Sequence, residues 1–190
     1  MKKIALRIGV DLQNDFANAT KGALGTKEAM AIIPNVKRKL TESANRGDVI
    51  WLTRDTHNKN YLQTQEGKYL PVEHCIEGTW GWEIVEGVYP EDYDVRIINK
   101  PTFGSLQLAD LVYQLIQDLA TKGYEVVEVE LMGLCTDICV ISNALIFKAK
   151  FPELTITVDA TCCAGVTVES HNAALLTMKM CQVNVINWEA

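Results

Sequence analysis

Apolar runs and amphipathic stretches alternate along this chain. Residues 4–10 are mostly apolar and end at Asp11, the pattern of a buried strand. The next periodic stretch predicts a helix starting at Pro34, which a first turn tolerates because it has no N–H bond to lose. Its inner face is Val36, Leu40 and Ala44, and Gly47 ends it. Residues 48–53 and 94–98 predict the second and third strands. Ser105 then caps a helix whose Leu108, Val112, Leu115 and Leu119 share one face, ending near Gly123. Residues 126–132 predict a fourth strand. Thr136 is the expected N-cap of a helix burying Val140, Ala144, Leu145 and Ala149. Residues 154–158 predict the fifth strand, with 159–165 as its exit loop. Thr167 caps a helix carrying Ala173, Leu176 and Met180, and residues 182–186 predict a sixth strand. Residues 17–32 read as a loop, and 58–93 show no long period. So long an irregular stretch in a compact domain is usually a binding loop or lid.

Strand and helix alternate with no repeat and no low-complexity linker. The expected fold is therefore a doubly wound α/β domain over residues 1–190, a six-stranded parallel sheet with helices on both faces. A length of 190 residues is enough to bury a full core. The formal net charge of −6, with no Lys/Arg-rich run, argues against a nucleic-acid partner. No signal peptide and no bilayer-length apolar run are evident, so the expectation is a cytoplasmic protein with no membrane contact. The cysteines at 75, 135, 139, 162, 163 and 181 are then expected as reduced thiols. Cys135 and Cys139 form a CxxxC pair with no second pair to complete a structural zinc site.

Chemistry concentrates at predicted strand ends. Residues 133–140 read as strand, tight turn and helix, with Cys139 near the helix start. Unpaired N–H groups and the helix dipole there favour a thiolate and an adjacent oxyanion. In an open parallel sheet the strand carboxyl ends line one rim, where ligands bind. Asp11, Asp55, His57, Lys100 and Cys139 all fall on that rim. Taken singly, each has a plain reading: an inert buried cysteine, a turn-capping aspartate, a solvated lysine. Their shared placement favours catalysis. Cys139 is then the nucleophile, Asp11 the proton carrier, Lys100 the neighbouring cation, and the N–H groups of Cys135 and Cys139 the oxyanion donors. Asp15 reads as turn-stabilising and His171 as structural. Asp55 and His57 alternate on an extended segment and can reach one ion, with His74 as third and Glu66 as fourth ligand. Oxygen and nitrogen donors of this kind suit zinc first, or manganese or iron. The competing reading is that they are loop-capping groups.

Five motifs carry a family resemblance: Asp11-Leu-Gln-Asn-Asp-Phe16, Asp55-Thr-His57, His74-Cys75 followed by Gly78-Thr79, Lys100-Pro-Thr-Phe103, and Gly133-Leu-Cys-Thr-Asp-Ile-Cys139. Across nearly its whole length the chain resembles the isochorismatase-like cysteine hydrolases and, within them, the nicotinamidases (pyrazinamidases). The resemblance implies hydrolysis of nicotinamide to nicotinate and ammonia through a Cys139 thioester, in NAD salvage. It implies a cis peptide entering Cys135, Phe16 against the pyridine ring, Tyr69 or Leu70 stacking on it, Phe103 walling the other side, and a metal on the ring nitrogen. It also implies a small-molecule substrate and a homo-oligomer. Many relatives place a second histidine soon after the first; here that neighbourhood is Tyr61, Leu62, Gln63 and Thr64, and Glu66 takes the role. The alternatives are an amidase of the same superfamily acting on an N-carbamoyl substrate, which needs no metal, and a non-catalytic binding protein.

Overall fold

The computed structural model describes residues 1–189. In chain order its elements are β1 (Lys2–Val10), α1 (Asn14–Ala17), α2 (Lys27–Arg46), β2 (Val49–Asp55), α3 (Gln65–Tyr69), β3 (Val95–Lys100), α4 (Leu106–Thr121), β4 (Tyr124–Leu134), α5 (Ile141–Lys150), β5 (Thr155–Ala164), α6 (Val168–Met180) and β6 (Asn184–Ile186). The strands form one parallel sheet in the order β3-β2-β1-β4-β5-β6. The chain winds outward from β1 to β3, then returns to place β4 on the other side of β1. The order therefore reverses between β1 and β4, and a crevice opens at their carboxyl ends. Gly133 allows the close approach there. Its φ is 124°, and a Cβ on it would lie 2.1 Å from the Val10 carbonyl oxygen.

Each face of the sheet carries its own apolar cluster. On one, Leu108 and Val112 of α4, Ala144 and Phe147 of α5, and Leu175 and Met178 of α6 pack on Ile8, Val129 and Leu131. On the other, Val36 and Leu40 of α2 pack on Leu52 and Met132, joined by Phe16 and Trp82. Among the described residues, no helix is long and apolar enough to cross a membrane.

Several expectations from local pattern are corrected. Helix α2 starts at Lys27, not Pro34: Thr26 caps it, its Oγ1 accepting from the Ala29 N–H at 3.0 Å. Pro34 lies inside the helix on its exposed side, so the missing N–H falls where water is available. Residues 159–164 are not a loop but the second half of β5. In α6 the buried residues are Ala174, Leu175 and Met178, while Ala173, Leu176 and Met180 are exposed. In α5, Phe147 is buried and Ala149 exposed. Thr136 is not a cap. The chain leaves β4 through a π turn, Thr136–Val140, preceded by Cys135, and Thr136 Oγ1 instead meets His171 Nδ1 at 2.7 Å. The irregular stretch 58–93 holds only α3 and a 3-10 turn, Tyr61–Gln63. Single bridges pin it to the core, His57 to Ile76 and Gln13 to Ile84.

Candidate active site

Asp11 ends β1 with φ 48°, in the left-handed region that only local support makes tolerable for aspartate. Thr53 on β2 supplies that support: its hydroxyl accepts from the Asp11 N–H at 3.1 Å and donates to Asp11 Oδ1 at 2.6 Å. Lys100 is the last residue of β3, and its side chain runs along the rim with essentially no exposure. Its Nζ lies 2.6 Å from Asp11 Oδ2, 3.5 Å from Cys139 Sγ and 3.0 Å from the Thr102 carbonyl oxygen. The Lys100–Asp11 contact is a short, buried ion pair. Oδ2 lies against the ammonium and has no other donor.

Cys139 sits in the π turn, in which the Ile138 and Val140 N–H groups both reach the Cys135 carbonyl at 3.1 Å. The Leu134–Cys135 peptide is cis. Burial, with the Asp11 carboxylate beside it, holds the Cys139 thiol well above its ordinary pKa despite Lys100. Burial also raises Asp11, with Lys100 opposing and Asp55 adding to the rise. For Lys100, burial disfavours the cation, but Asp11, Cys139 and Asp55 outweigh it and raise its pKa, so it stays charged. The resting state is therefore a neutral thiol beside a carboxylate of enhanced basicity, both held by a permanent cation.

A second cluster adjoins this one. The ligand atoms of Asp55, His57, Glu66 and His74 all lie within 4.8 Å of one another. Asp55 Oδ2 is 3.0 Å from His57 Nε2 and 3.5 Å from His74 Nε2. Glu66 Oε1 is 3.5 Å from His57 Nε2 and 3.7 Å from His74 Nε2. His74 Nδ1 donates to the Val72 carbonyl at 2.9 Å, which turns Nε2 to the cluster. Burial opposes ionisation of Asp55, but hydrogen bonds from His57 and His74 and the charge of Lys100 hold it below the usual carboxylate range. Burial likewise opposes the His57 cation, but Asp55 and Glu66 lift its pKa to about 9. Two carboxylates crowding two imidazoles is the electrostatics of a site for a divalent cation, and the donor set fits one. Asp55 Oδ1 is buried without a hydrogen bond and 3.7 Å from Lys100 Nζ, so this lysine touches both clusters.

Cys139 of the first cluster and most of the second border one cavity of about 550 Å³, within the range of small-molecule sites, with Asp11 and Lys100 buried behind Cys139. Asp55, Glu66, His74, Cys135 and Cys139 line it, and His57 stands behind them. Phe16 lies 5.5 Å, ring to ring, from His74. Tyr69, Leu70 and Phe103 also line the cavity, at its mouth: Tyr69 is 85% exposed and Phe103 45%. Asp15 lies outside: its carboxylate accepts from the Cys75 N–H at 2.8 Å and the Ala23 N–H at 3.0 Å, bracing the segment that carries His74.

Three side chains in this constellation escaped sequence reasoning. Besides Thr53, Gln13 clamps the first metal-ligand candidate. Its Oε1 accepts from the Asp55 N–H at 2.7 Å, and its Nε2 donates to the carbonyls of Asp55 at 2.8 Å and Trp82 at 2.9 Å. The third, Asn143, is fully buried one helical turn beyond Cys139. Gln13 lies inside the 11–16 motif and was findable there; Thr53 and Asn143 carried no local signal.

A cysteine, a carboxylate and a lysine converging at the switch point of a parallel sheet define the class, a hydrolase built on a doubly wound sheet. Residues 6–190 match the family model of the Isochorismatase domain, and the chain belongs to the isochorismatase family. It is 26% identical to a nicotinamidase of Schizosaccharomyces pombe over 94% of this chain and 90% of that protein. Among solved structures it resembles the nicotinamidase/pyrazinamidase PncA of Bacillus subtilis, with a TM-score of 0.79 and 27% identity over 97% of this chain and 99% of that one. It also resembles the pyrazinamidase of Pyrococcus horikoshii solved in complex with zinc, with a TM-score of 0.77 and 25% identity over 99% and 100% of the two chains.

Proposed function

We propose that this protein is a nicotinamidase, hydrolysing nicotinamide to nicotinate and ammonia. The observation that carries this reading is one cavity lined both by Cys139, with Asp11 and Lys100 buried behind it, and by members of a divalent-metal donor set. A pyridine carboxamide presents an amide to the first and a ring nitrogen to the second.

Asp11 takes the proton from the Cys139 thiol as the sulfur attacks the carboxamide carbon. The tetrahedral oxyanion receives hydrogen bonds from the backbone N–H groups of Cys135 and Cys139. Asp11 returns the proton to the leaving nitrogen, ammonia departs, and a thioester remains. Asp11 then takes a proton from water, which attacks the thioester carbon, and the released proton restores the thiol as nicotinate leaves. Lys100 remains cationic throughout and holds the Asp11 carboxylate against Sγ. Asp55, His57, Glu66 and His74 are the residues that hold the metal, which when bound supplies coordination of the ring nitrogen and so orients the substrate. Zinc is our preferred ion, as in the Pyrococcus horikoshii neighbour. Phe16, with Tyr69, Leu70 and Phe103 at the mouth, contacts the ring. The six cysteines are all free, which suits a cytoplasmic setting, and we take the chain as one domain that self-associates.

Ammonia release from nicotinamide, pyrazinamide and an N-carbamoyl amino acid tests the reading. Turnover of the two ring amides is expected. Turnover of the N-carbamoyl compound alone would replace it with the metal-independent amidase.

A further inference from the structure

Asn143 lies in the first turn of α5, four residues after Cys139, with no exposure to solvent. Its Nδ2 donates to the Cys139 carbonyl at 2.8 Å and to the Phe103 carbonyl at 3.1 Å, and its Oδ1 accepts from the Ser105 N–H at 3.0 Å. Both amide hydrogens and the oxygen are therefore used, and the three partners belong to different parts of the site. Cys139 carries the reactive sulfur. Phe103 walls the mouth of the cavity, in a segment whose Thr102 carbonyl binds Lys100 Nζ at 3.0 Å. Ser105 caps α4, accepting from the Leu108 N–H at 3.0 Å. Only a primary amide offers two donors and one acceptor in this fork. A carboxylate would accept from Ser105 but turn its other oxygen on two carbonyls, and a hydrocarbon would leave all three groups unpaired in the core.

We infer that Asn143 is a positioning residue for the reaction. It sets the distance between the sulfur-bearing turn and the 101–105 segment that walls the substrate and holds Lys100. The inference rests on Cys139 being the nucleophile. Lys100 Nζ also spans the two parts, from Cys139 Sγ to the Thr102 carbonyl, but through side-chain and sulfur contacts; Asn143 ties the backbone of the turn to the backbone of the wall.

Two variants separate its contacts. Asn143→Asp removes both donors. Asn143→Ser keeps one hydroxyl that can reach back to the carbonyl four residues earlier and drops both contacts to the 103–105 segment. Steady-state kinetics with nicotinamide are read beside alkylation of Cys139 by iodoacetamide, followed on its own peptide by mass spectrometry, and beside the melting temperature. For Asn143→Asp we expect kcat to fall about 100-fold, the scale of a displacement near 1 Å at a reacting atom, with slower alkylation of Cys139. For Asn143→Ser we expect a smaller fall in kcat, about 10-fold, with KM raised about 10-fold, because the turn keeps its tie to Cys139 while the segment that walls the substrate and holds Lys100 is released. Folded variants with wild-type kcat, KM and alkylation rate but a lower melting temperature would overturn the inference and make Asn143 a core residue only. Cys139→Ala separates the two levels. Turnover surviving in it removes the nucleophile reading, whereas a dead Cys139→Ala beside unaffected Asn143 variants removes this inference alone.

Discussion

Beneath α2, Arg7, Lys39, Asp48, Glu128, Glu130 and Asp159 form a buried ionic network across the middle of the sheet. Arg7 pairs with Glu128 at 2.7 Å, with Asp48 at 3.3 Å and with Glu130, while Lys39 bridges Glu130 and Asp159. At the rim, Asp11, Lys100 and Asp55 are buried as deeply. The two groups differ in closure. In the network every buried carboxylate oxygen finds a partner: Thr157 donates to Glu128 at 2.6 Å, Asn187 to Asp159 at 3.0 Å, and the Thr161 N–H to Asp159 at 3.0 Å. Among the described residues, the only buried side-chain polar atoms without a hydrogen bond are Asp11 Oδ2 and Asp55 Oδ1, both at the rim. A closed network offsets its own desolvation and holds the fold; an open one keeps carboxylate oxygens beside a thiol proton or a metal ion that can use them.

Replacing Cys139 by Ala is the largest test of this contrast. Ammonia release should fall by at least about 10⁴-fold, with circular dichroism unchanged, and retained turnover would mean that the open cluster is not the reaction centre. Stripping the metal comes next. Chelation should lower kcat/KM for nicotinamide about 100-fold and weaken its binding by calorimetry, with recovery on metal add-back. A stripped protein with unaltered nicotinamide affinity would sever the second cluster from substrate binding.

Lys39→Met addresses the closed network and should do the reverse. Leaving Asp159 buried without its cation, and Glu130 with Arg7 alone, should cost about 3 kcal/mol in urea unfolding, while kcat per folded molecule is unchanged. Its pH dependence has a definite sign. Burial alone would raise Asp159, but hydrogen bonds from Lys39, Asn187 and Thr161 hold it below its ordinary value. A depressed carboxyl contributes stability that is complete above about pH 4 and lost as pH falls through the lower folded value. The stability gap between wild type and Lys39→Met should therefore narrow in acid below pH 4. A gap independent of pH would show that the lysine acts through packing. The smallest effect is expected of Cys135→Ser. Its backbone N–H, not its sulfur, serves the oxyanion, so kcat should stay within about 3-fold. A large loss would give the sulfur a role of its own.

Much of this arrangement was legible along the chain, because hydrophobic period reports the local environment of each segment. Six strands, the helices between them, the caps at Ser105 and Thr167, and the rim residues Asp11, Asp55, Lys100 and Cys139 all follow from such patterns. The failures have local causes too. In α6 apolar residues fall on adjacent positions, Ala173 to Leu176 and then Met178 and Met180, so period could not choose between Leu175 and Leu176 as the inner face. At Pro34 a preference for first turns was overruled by a helix whose exposed side tolerates the missing N–H. The strand through Cys162 and Cys163 looked like a loop because Asp159 interrupts it, and Asp159 is buried because Lys39 of α2, Asn187 and Thr161 satisfy it.

By itself, then, the sequence determined the order of elements, the rim on which reactive residues fall and, through its motifs, the family. Only the tertiary structure decided which of those residues touch. Lys100 reaches Cys139 across 39 residues of chain and Asp11 leans on Thr53 across 42. Such pairings depend on strand order and on the close approach of β1 and β4 at Gly133, which no local period encodes. The same holds for closure: whether a buried carboxylate is satisfied or left open is a property of all its neighbours in space, and at Asp11 and Asp55 that property is what separates a reactive site from a structural ion pair.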